Sequence, residues 1–180
     1  MTDLRATAAA VLTAGAAATI AFDLFGQTIS PLLSFLPTLG AKLAPVPLAQ
    51  SVLSTVTGIP GQDLAREGIP YGLHILTGLV AYPLGWLAVR EGLARTLPAL
   101  HWAAGAVGYG VLLWVFALYG MAHLVAGNPA FLGFTGITWV ALWGHVVFAL
   151  TAAAVLQAKL PQPARTPFAL TVNRTETPPA

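Results

Sequence analysis

Four long apolar stretches alternate with short polar breaks along the chain, and this pattern predicts four membrane-spanning helices. The stretches cover residues 7–26, 71–89, 99–126 and 131–156. Each is long enough to cross a hydrocarbon core of about 30 Å at about 1.5 Å per residue. We therefore predict an all-α integral membrane four-helix bundle that forms a single domain over residues 1–160.

The breaks between the last three stretches are short. Arg90, Glu91 and Pro98 separate the second stretch from the third, and the sequence from Gly127 to Pro129 is typical of a turn between the third and the fourth. Helices joined by such short connections pack as antiparallel neighbours. We expect the second, third and fourth spans to follow one another in the bundle.

The connection between the first two stretches, residues 27–70, is long and rich in proline. Its prolines exclude one continuous helix; they are Pro31, Pro37, Pro45, Pro47, Pro60 and Pro70. Apolar residues nevertheless recur at helical spacing at Leu48, Val52, Leu53 and Val56. This spacing predicts a short amphipathic helix that lies at the outer membrane surface or dips into the bundle. An apolar packing loop over the end of the bundle is the alternative.

Composition supports a membrane protein and excludes several classes of site. Hydrophobic residues make up 57% of the chain and charged residues 8%, whereas a soluble domain has about 25% charged residues. The formal net charge of +2 is too small for a nucleic-acid-binding surface. Cysteine is absent, so any metal would need His, Asp or Glu as ligands.

The distribution of basic residues predicts the orientation. Six lie on the side that carries both termini, namely Arg5, Arg90, Arg95, Lys159, Arg165 and Arg174, against Lys42 and Arg66 on the other side. Basic residues are enriched in cytoplasmic loops. We therefore expect a multi-pass protein of the bacterial inner membrane with cytoplasmic termini and an extracytoplasmic segment 27–70.

Both ends of the chain allow a further expectation. The first stretch could also be a signal peptide cleaved near Ala16–Ala18, but it stays apolar as far as Phe25, so we prefer an uncleaved span.

Residues 161–180 are rich in proline and threonine and lack helical periodicity. We expect an extended or disordered cytoplasmic tail there.

Ionisable residues within the predicted spans are the candidates for chemistry, because they are costly to place in a membrane. Asp23, His74 and His123 each lie roughly 5–7 Å inside the outer interface, whereas His145 lies near the midplane and His101 at the cytoplasmic end. Asp23, His74 and His123 could hold a divalent metal, and the two histidines alternatively a haem. His145, four residues after Ala141, could bind a pigment. The alternative, which we favour, is that His74 and His123 bond to backbone, water or Asp23.

Glycine and tyrosine accompany two of the histidines at helical spacing. The pattern His-x-x-x-Gly-x-x-x-Tyr occurs at residues 74–82 and again at residues 101–109. A glycine one turn from a histidine leaves room for a flat cofactor, or it allows a neighbouring helix to approach closely. We favour helix packing. Pro83, inside the second stretch, predicts a kink in that helix.

Two short sequences carry a resemblance to known proteins. Residues 71–78 (YGLHILTG) contain H-x-x-x-G, and residues 143–150 (WGHVVFAL) contain G-H-x-x-F. In these motifs the chain resembles small four-span bacterial inner-membrane proteins of unknown function. The resemblance implies four spans and assigns no activity.

No catalytic motif is recognisable in the sequence. We therefore expect a non-catalytic subunit or assembly partner of a larger membrane complex, surrounded by the lipid bilayer and by other membrane subunits. A haem-, metal- or pigment-binding protein that uses His74, His123 or His145 is the first alternative. A component of a small-solute transporter is the second, although no inverted repeat is apparent.

Overall fold

A computed structural model of the chain describes residues 4–160, and these residues form helices and no strands. Six helices follow in order: α1 (Leu4–Leu32), α2 (Pro45–Thr57), α3 (Gly61–Arg66), α4 (Ile69–Thr96), α5 (Trp102–Val125) and α6 (Gly136–Lys159). Four of them, α1, α4, α5 and α6, are long and apolar enough to cross a membrane. The prediction of an all-helical chain with four such helices is confirmed. The predicted tail, residues 161–180, lies outside the described residues.

The helix ends differ from the ends of the apolar stretches. Helix α4 continues through Arg90 and Glu91 as far as Thr96, because both residue types favour helix and only Pro98 disfavours its continuation. Helix α5 begins at Trp102, after His101 at its N-terminal cap. The charged residues therefore mark the end of the apolar stretch. The ends of the helices are set instead by Pro98 after α4 and by the His101 cap before α5.

The fourth span begins later than its sequence predicts. Phe131, Leu132 and Phe134 all have positive φ values of 49° to 55°, and they form a left-handed turn before α6 starts at Gly136. Such values are uncommon for residues other than glycine. Phe131 is held there by its ring contacts with Trp114 and Tyr119. Tertiary packing thus overrides the apolar pattern at this position.

Two π-helical turns occur at the same distance from a proline. The segments Phe25–Ile29 and Thr77–Ala81 both end two residues before a proline, Pro31 and Pro83 respectively. A proline ring clashes with the carbonyl four residues earlier in an α-helix. The wider π turn removes this clash. Where the sequence predicts a kink at Pro83, the structure has a π turn just before the proline.

Small residues allow the helices to approach closely. Helix α6 packs most extensively against α1 and α5, and the buried core includes many alanines, namely Ala10, Ala14, Ala18, Ala106, Ala149 and Ala152. A Cβ atom on Gly110 would lie 2.7 Å from the Cα atom of Val146. A Cβ on Gly15 would collide with the backbone of Leu79 in α4. These contacts support the interpretation of small residues as packing residues.

The same interpretation holds for the two His-x-x-x-Gly patterns. A Cβ atom on Gly78 would collide with the side chain of Thr19, and one on Gly105 would lie 2.9 Å from Leu93. Neighbouring side chains thus fill the space beside both glycines. The two patterns bring helices together at these positions.

Candidate functional site

Asp23 of α1 and His74 of α4 form a polar pair between the two helices. The Nε2 atom of His74 lies 3.2 Å and 3.3 Å from the two carboxylate oxygens of Asp23. The side chain of Asp23 is 27% exposed and that of His74 is 14% exposed, so the pair is largely removed from solvent. Counting residues from the ends of the spans predicted a common depth for these two side chains, and the structure places them in contact.

His123 does not join this pair. Its Nδ1 atom lies 2.7 Å from the carbonyl oxygen of Asn128, just after the end of α5, and its ring packs against Tyr119. No three His, Cys, Asp or Glu residues within residues 4–160 are grouped so that they could hold a metal ion. The sequence predicts a common depth for Asp23, His74 and His123, but a common depth does not direct side chains toward one another. His123 instead bonds to its own turn.

His145 is buried within α6 and has a defined hydrogen bond on one side of its ring. Its Nδ1 atom lies 2.7 Å from the carbonyl oxygen of Ala141, which accepts only if Nδ1 carries the proton. In the neutral ring Nε2 then keeps a lone pair. The Nε2 atom has no hydrogen-bond partner among residues 4–160. His145 therefore presents an acceptor, or a metal ligand, of known tautomer.

Phe22 connects the two histidines. Its ring centroid lies 6.2 Å from that of His74 and 5.2 Å from that of His145, and the second contact is edge to face. The ring of Tyr82 on α4 also packs against that of His145, with ring centroids 6.4 Å apart. His74 and His145 thus belong to one aromatic cluster, whereas sequence depth had separated them into different layers.

A cavity of about 840 Å³ lies beside this cluster. It is bounded by α1, α2, α4, α5 and α6, and its lining is mainly apolar, including Leu48, Leu73, Phe116 and Leu118. Its polar lining residues are Thr19, Lys42, Ser51, His74, Thr77, Tyr82, Asn128 and His145. Both histidines of the aromatic cluster therefore border the same space, and His123 and His101 do not.

Thr19 is a lining residue that the sequence did not reveal as a candidate. Its Oγ1 atom is buried and has no hydrogen-bond partner among the described residues. The available signal was its position four residues before Asp23, which places both side chains on one face of α1. A threonine within a span is weak evidence for a binding site, because its hydroxyl usually bonds to the backbone of its own helix.

His101 lies outside the cavity and has a structural role. It is exposed and caps the N-terminus of α5, where the backbone N–H of Ala103 donates to its Nδ1 at 3.3 Å. The sequence predicted that His101 would be remote from Asp23 and His74, and His101 does not line the large cavity. His101 is therefore a useful control residue for experiments on His145.

Comparison with known proteins adds no assignment: no protein-family model, no curated protein and no solved structure matches this chain. The argument for function therefore depends on the site itself. The site combines a large apolar volume with two imidazoles, one unbonded threonine hydroxyl and one tyrosine. Such a space suits a hydrophobic molecule with a small polar or metal-containing part.

Proposed function

We propose that this chain is a non-catalytic four-span membrane protein that holds one hydrophobic small molecule in the cavity between its helices. The cavity of about 840 Å³ carries the proposal. Pockets for small molecules and cofactors have volumes of about 300–1,000 Å³ and are mostly apolar with a few placed polar groups. The lining described above has these properties, with His145 and the Asp23–His74 pair as its polar groups.

The chemistry of His145 restricts the ligand. With its Nδ1 proton bonded to Ala141, the neutral ring offers a lone pair at Nε2 and no second donor. A ligand that pairs with it carries a hydroxyl or N–H donor, or an open metal position such as that of a tetrapyrrole. The rest of the ligand is apolar, since the lining is. A haem, a metallated pigment or a hydroxylated lipid-like molecule fits this description, and a bare metal ion does not.

We also propose an orientation of the helix bundle in the membrane. Basic residues at one end of the bundle, Arg90, Arg95 and Lys159, favour that end as cytoplasmic. The cavity is covered by α2 near the other end, which then faces the outside of a bacterial inner membrane. Reporter fusions after Thr96 and Gln62 check this arrangement. We expect cytoplasmic activity at Thr96 and extracytoplasmic activity at Gln62, and the reverse pattern would contradict it.

The His145→Leu variant tests the proposed ligand contact. Leucine has a similar size and removes the Nε2 lone pair, so we expect the bound ligand to fall by at least about tenfold, the effect of losing one strong polar contact. The helix should tolerate the change, because a buried polar group is replaced by an apolar one. Protein purified in mild detergent is extracted with organic solvent and analysed by mass spectrometry, and its absorbance spectrum is recorded.

The matched control is His101→Leu, at the exposed cap of α5. It should retain the wild-type amount of ligand. Equal ligand content in the His145→Leu and wild-type proteins would contradict the role of His145. A Soret band in the wild type that disappears in His145→Leu would identify the ligand as a tetrapyrrole, and the extracted mass would distinguish haem from another metallated pigment.

A second candidate function, membership of a larger membrane complex, is favoured by the surface of α4. Within its most apolar window only 17% of residues are buried, against 39% to 56% in the other three long helices. Gly72 and Gly92 on this helix also have open space beside them. A helix with so few internal partners and accessible small residues suits packing against another subunit.

Because the chain has no cysteine, single cysteines allow a test without background. Leu84 of α4 is 48% exposed and Leu12 of α1 is 50% exposed, so they form a matched pair. With a thiol cross-linker in native membranes, we expect Leu84→Cys to give an adduct with another polypeptide and Leu12→Cys to give less. Equal labelling without any adduct at Leu84→Cys would contradict a partner on α4.

A further inference from the structure

Arg90 lies near the end of α4 with most of its guanidinium buried. The side chain is 12% exposed, and its Nε and Nη1 atoms are buried without a hydrogen-bond partner among residues 4–160. Its third nitrogen, Nη2, lies 3.6 Å from a carboxylate oxygen of Glu91, whose side chain is 46% exposed. This single long contact leaves Nε and Nη1 without an acceptor.

A small pocket of about 40 Å³ lies beside Arg90. Its lining includes Trp86 on α4, His101 and Trp102 at the start of α5, and Gln157 near the end of α6. None of its lining residues borders the large cavity. The pocket is therefore a separate feature at the other end of α4, and its existence does not depend on the ligand proposed above.

We propose that this pocket binds a phosphate-type oxyanion through Arg90. A buried guanidinium without an acceptor is costly, and oxyanions match its fork with paired, charge-assisted hydrogen bonds. The pocket has room for a small group only. Lys159 lies at the same end of the bundle and increases the local attraction for anions.

The oxyanion comes either from the headgroup of an anionic phospholipid or from free phosphate. The indole rings of Trp86 and Trp102 border the pocket, and tryptophan is enriched at the level of lipid headgroups. Basic pockets between membrane helices on the cytoplasmic side are known to bind anionic headgroups. The two sources present the same chemistry to Arg90 and differ in their attachment to acyl chains.

Thermal unfolding of the purified full-length protein in mild detergent separates the possibilities. Phosphatidylglycerol is compared with phosphatidylcholine, and inorganic phosphate with chloride at equal ionic strength. We expect phosphatidylglycerol or phosphate to raise the unfolding temperature of the wild type. The Arg90→Met variant should lose this response and bind the anion at least about tenfold more weakly, since it lacks the charged hydrogen bonds.

The Arg95→Met variant is the matched control, because Arg95 lies on the same helix and is exposed. It should keep the wild-type response. A response to phosphatidylglycerol alone assigns the site to a lipid headgroup, and a response to phosphate as well assigns it to the free anion. No anion response in the wild type, or an equal loss in Arg90→Met and Arg95→Met, would overturn the proposal.

A third variant keeps the test decisive if Arg90→Met does not fold. Arg90→Lys keeps the charge but lacks the planar fork. We expect it to bind the anion more weakly than the wild type while remaining folded by circular dichroism. Wild-type affinity in Arg90→Lys would contradict recognition by the guanidinium.

Discussion

Two glycines of α5, Gly108 and Gly110, differ in their surroundings although they are two residues apart. A Cβ atom on Gly110 would lie 2.7 Å from the Cα atom of Val146 and 2.8 Å from the carbonyl oxygen of His145. A Cβ atom on Gly108 would have nothing within 4 Å. Only Gly110 is therefore needed for the close contact of α5 with α6, the helix that carries His145.

The alanine variants of these glycines should have opposite effects. Gly110→Ala forces backbone atoms apart, and we expect it to lower the free energy of unfolding by about 1–3 kcal/mol, the usual cost of overpacking. Gly108→Ala should leave stability unchanged or raise it by up to about 1 kcal/mol, because alanine favours helix. Denaturant unfolding in detergent, followed by circular dichroism, measures both. A stable Gly110→Ala protein would contradict the observed crossing.

At the residue scale, sequence predicted depth but not direction. Counting residues from the ends of the spans predicted that Asp23 and His74 share a layer, and they are in contact. The same count placed His123 in that layer, yet its side chain bonds to the carbonyl of Asn128. It placed His145 in another layer, yet Phe22 joins it to His74. Helix rotation and side-chain direction depend on packing, which a single sequence does not record.

At the scale of elements, helix α2 connects the long proline-rich segment to the cavity. Its residues Pro45, Leu48 and Val52 line the cavity, and the amide of Asn128 lies 3.5 Å from the hydroxyl of Ser51. The helical spacing of apolar residues predicted this helix, and a helix is present at Pro45–Thr57. The predicted apolar face is only partly buried, since Val52 is 7% exposed and Val56 is 68% exposed.

The different burial of Val52 and Val56 allows a test of how α2 is attached to the rest of the bundle. Val52→Asn places an amide where an apolar side chain is buried, and we expect it to loosen α2 from the bundle. Val56→Asn, one turn later and exposed, should have little effect. Hydrogen exchange of the amides in residues 45–57 should accelerate by at least about tenfold in Val52→Asn, since each factor of ten corresponds to about 1.4 kcal/mol. Equal exchange in both variants would show that Val52 does not anchor the helix.

Element boundaries show which local signals are reliable. The turn residues Gly127 to Pro129 and the proline at position 98 limited α5 and α4 as expected. The charges at Arg90 and Glu91 did not end α4, and Phe131 did not begin α6. Backbone restrictions such as those of proline act locally, whereas the left-handed turn at residues 131–134 depends on contacts with Trp114 and Tyr119.

At the scale of the whole molecule, the cavity is the feature that sequence could not predict. Five helices contribute to its walls, and its volume depends on how far their axes diverge. The number of long apolar helices follows from hydropathy, because each stretch is an independent signal. A space between helices is a property of all of them together, and no periodicity encodes it.

Substitutions of two exposed alanines on α4 test the central claim, that the cavity holds a hydrophobic small molecule. Ala81 lines the cavity, and Ala88, two helical turns later, does not. Tryptophan at position 81 should occupy part of the space without disturbing buried packing. The measurement is the amount of small molecule extracted per mole of purified protein, determined by mass spectrometry. We predict a stoichiometric ligand in the wild type and in Ala88→Trp and a loss of at least about tenfold in Ala81→Trp. A wild-type protein that contains no such molecule, or equal amounts in both variants, would contradict the account.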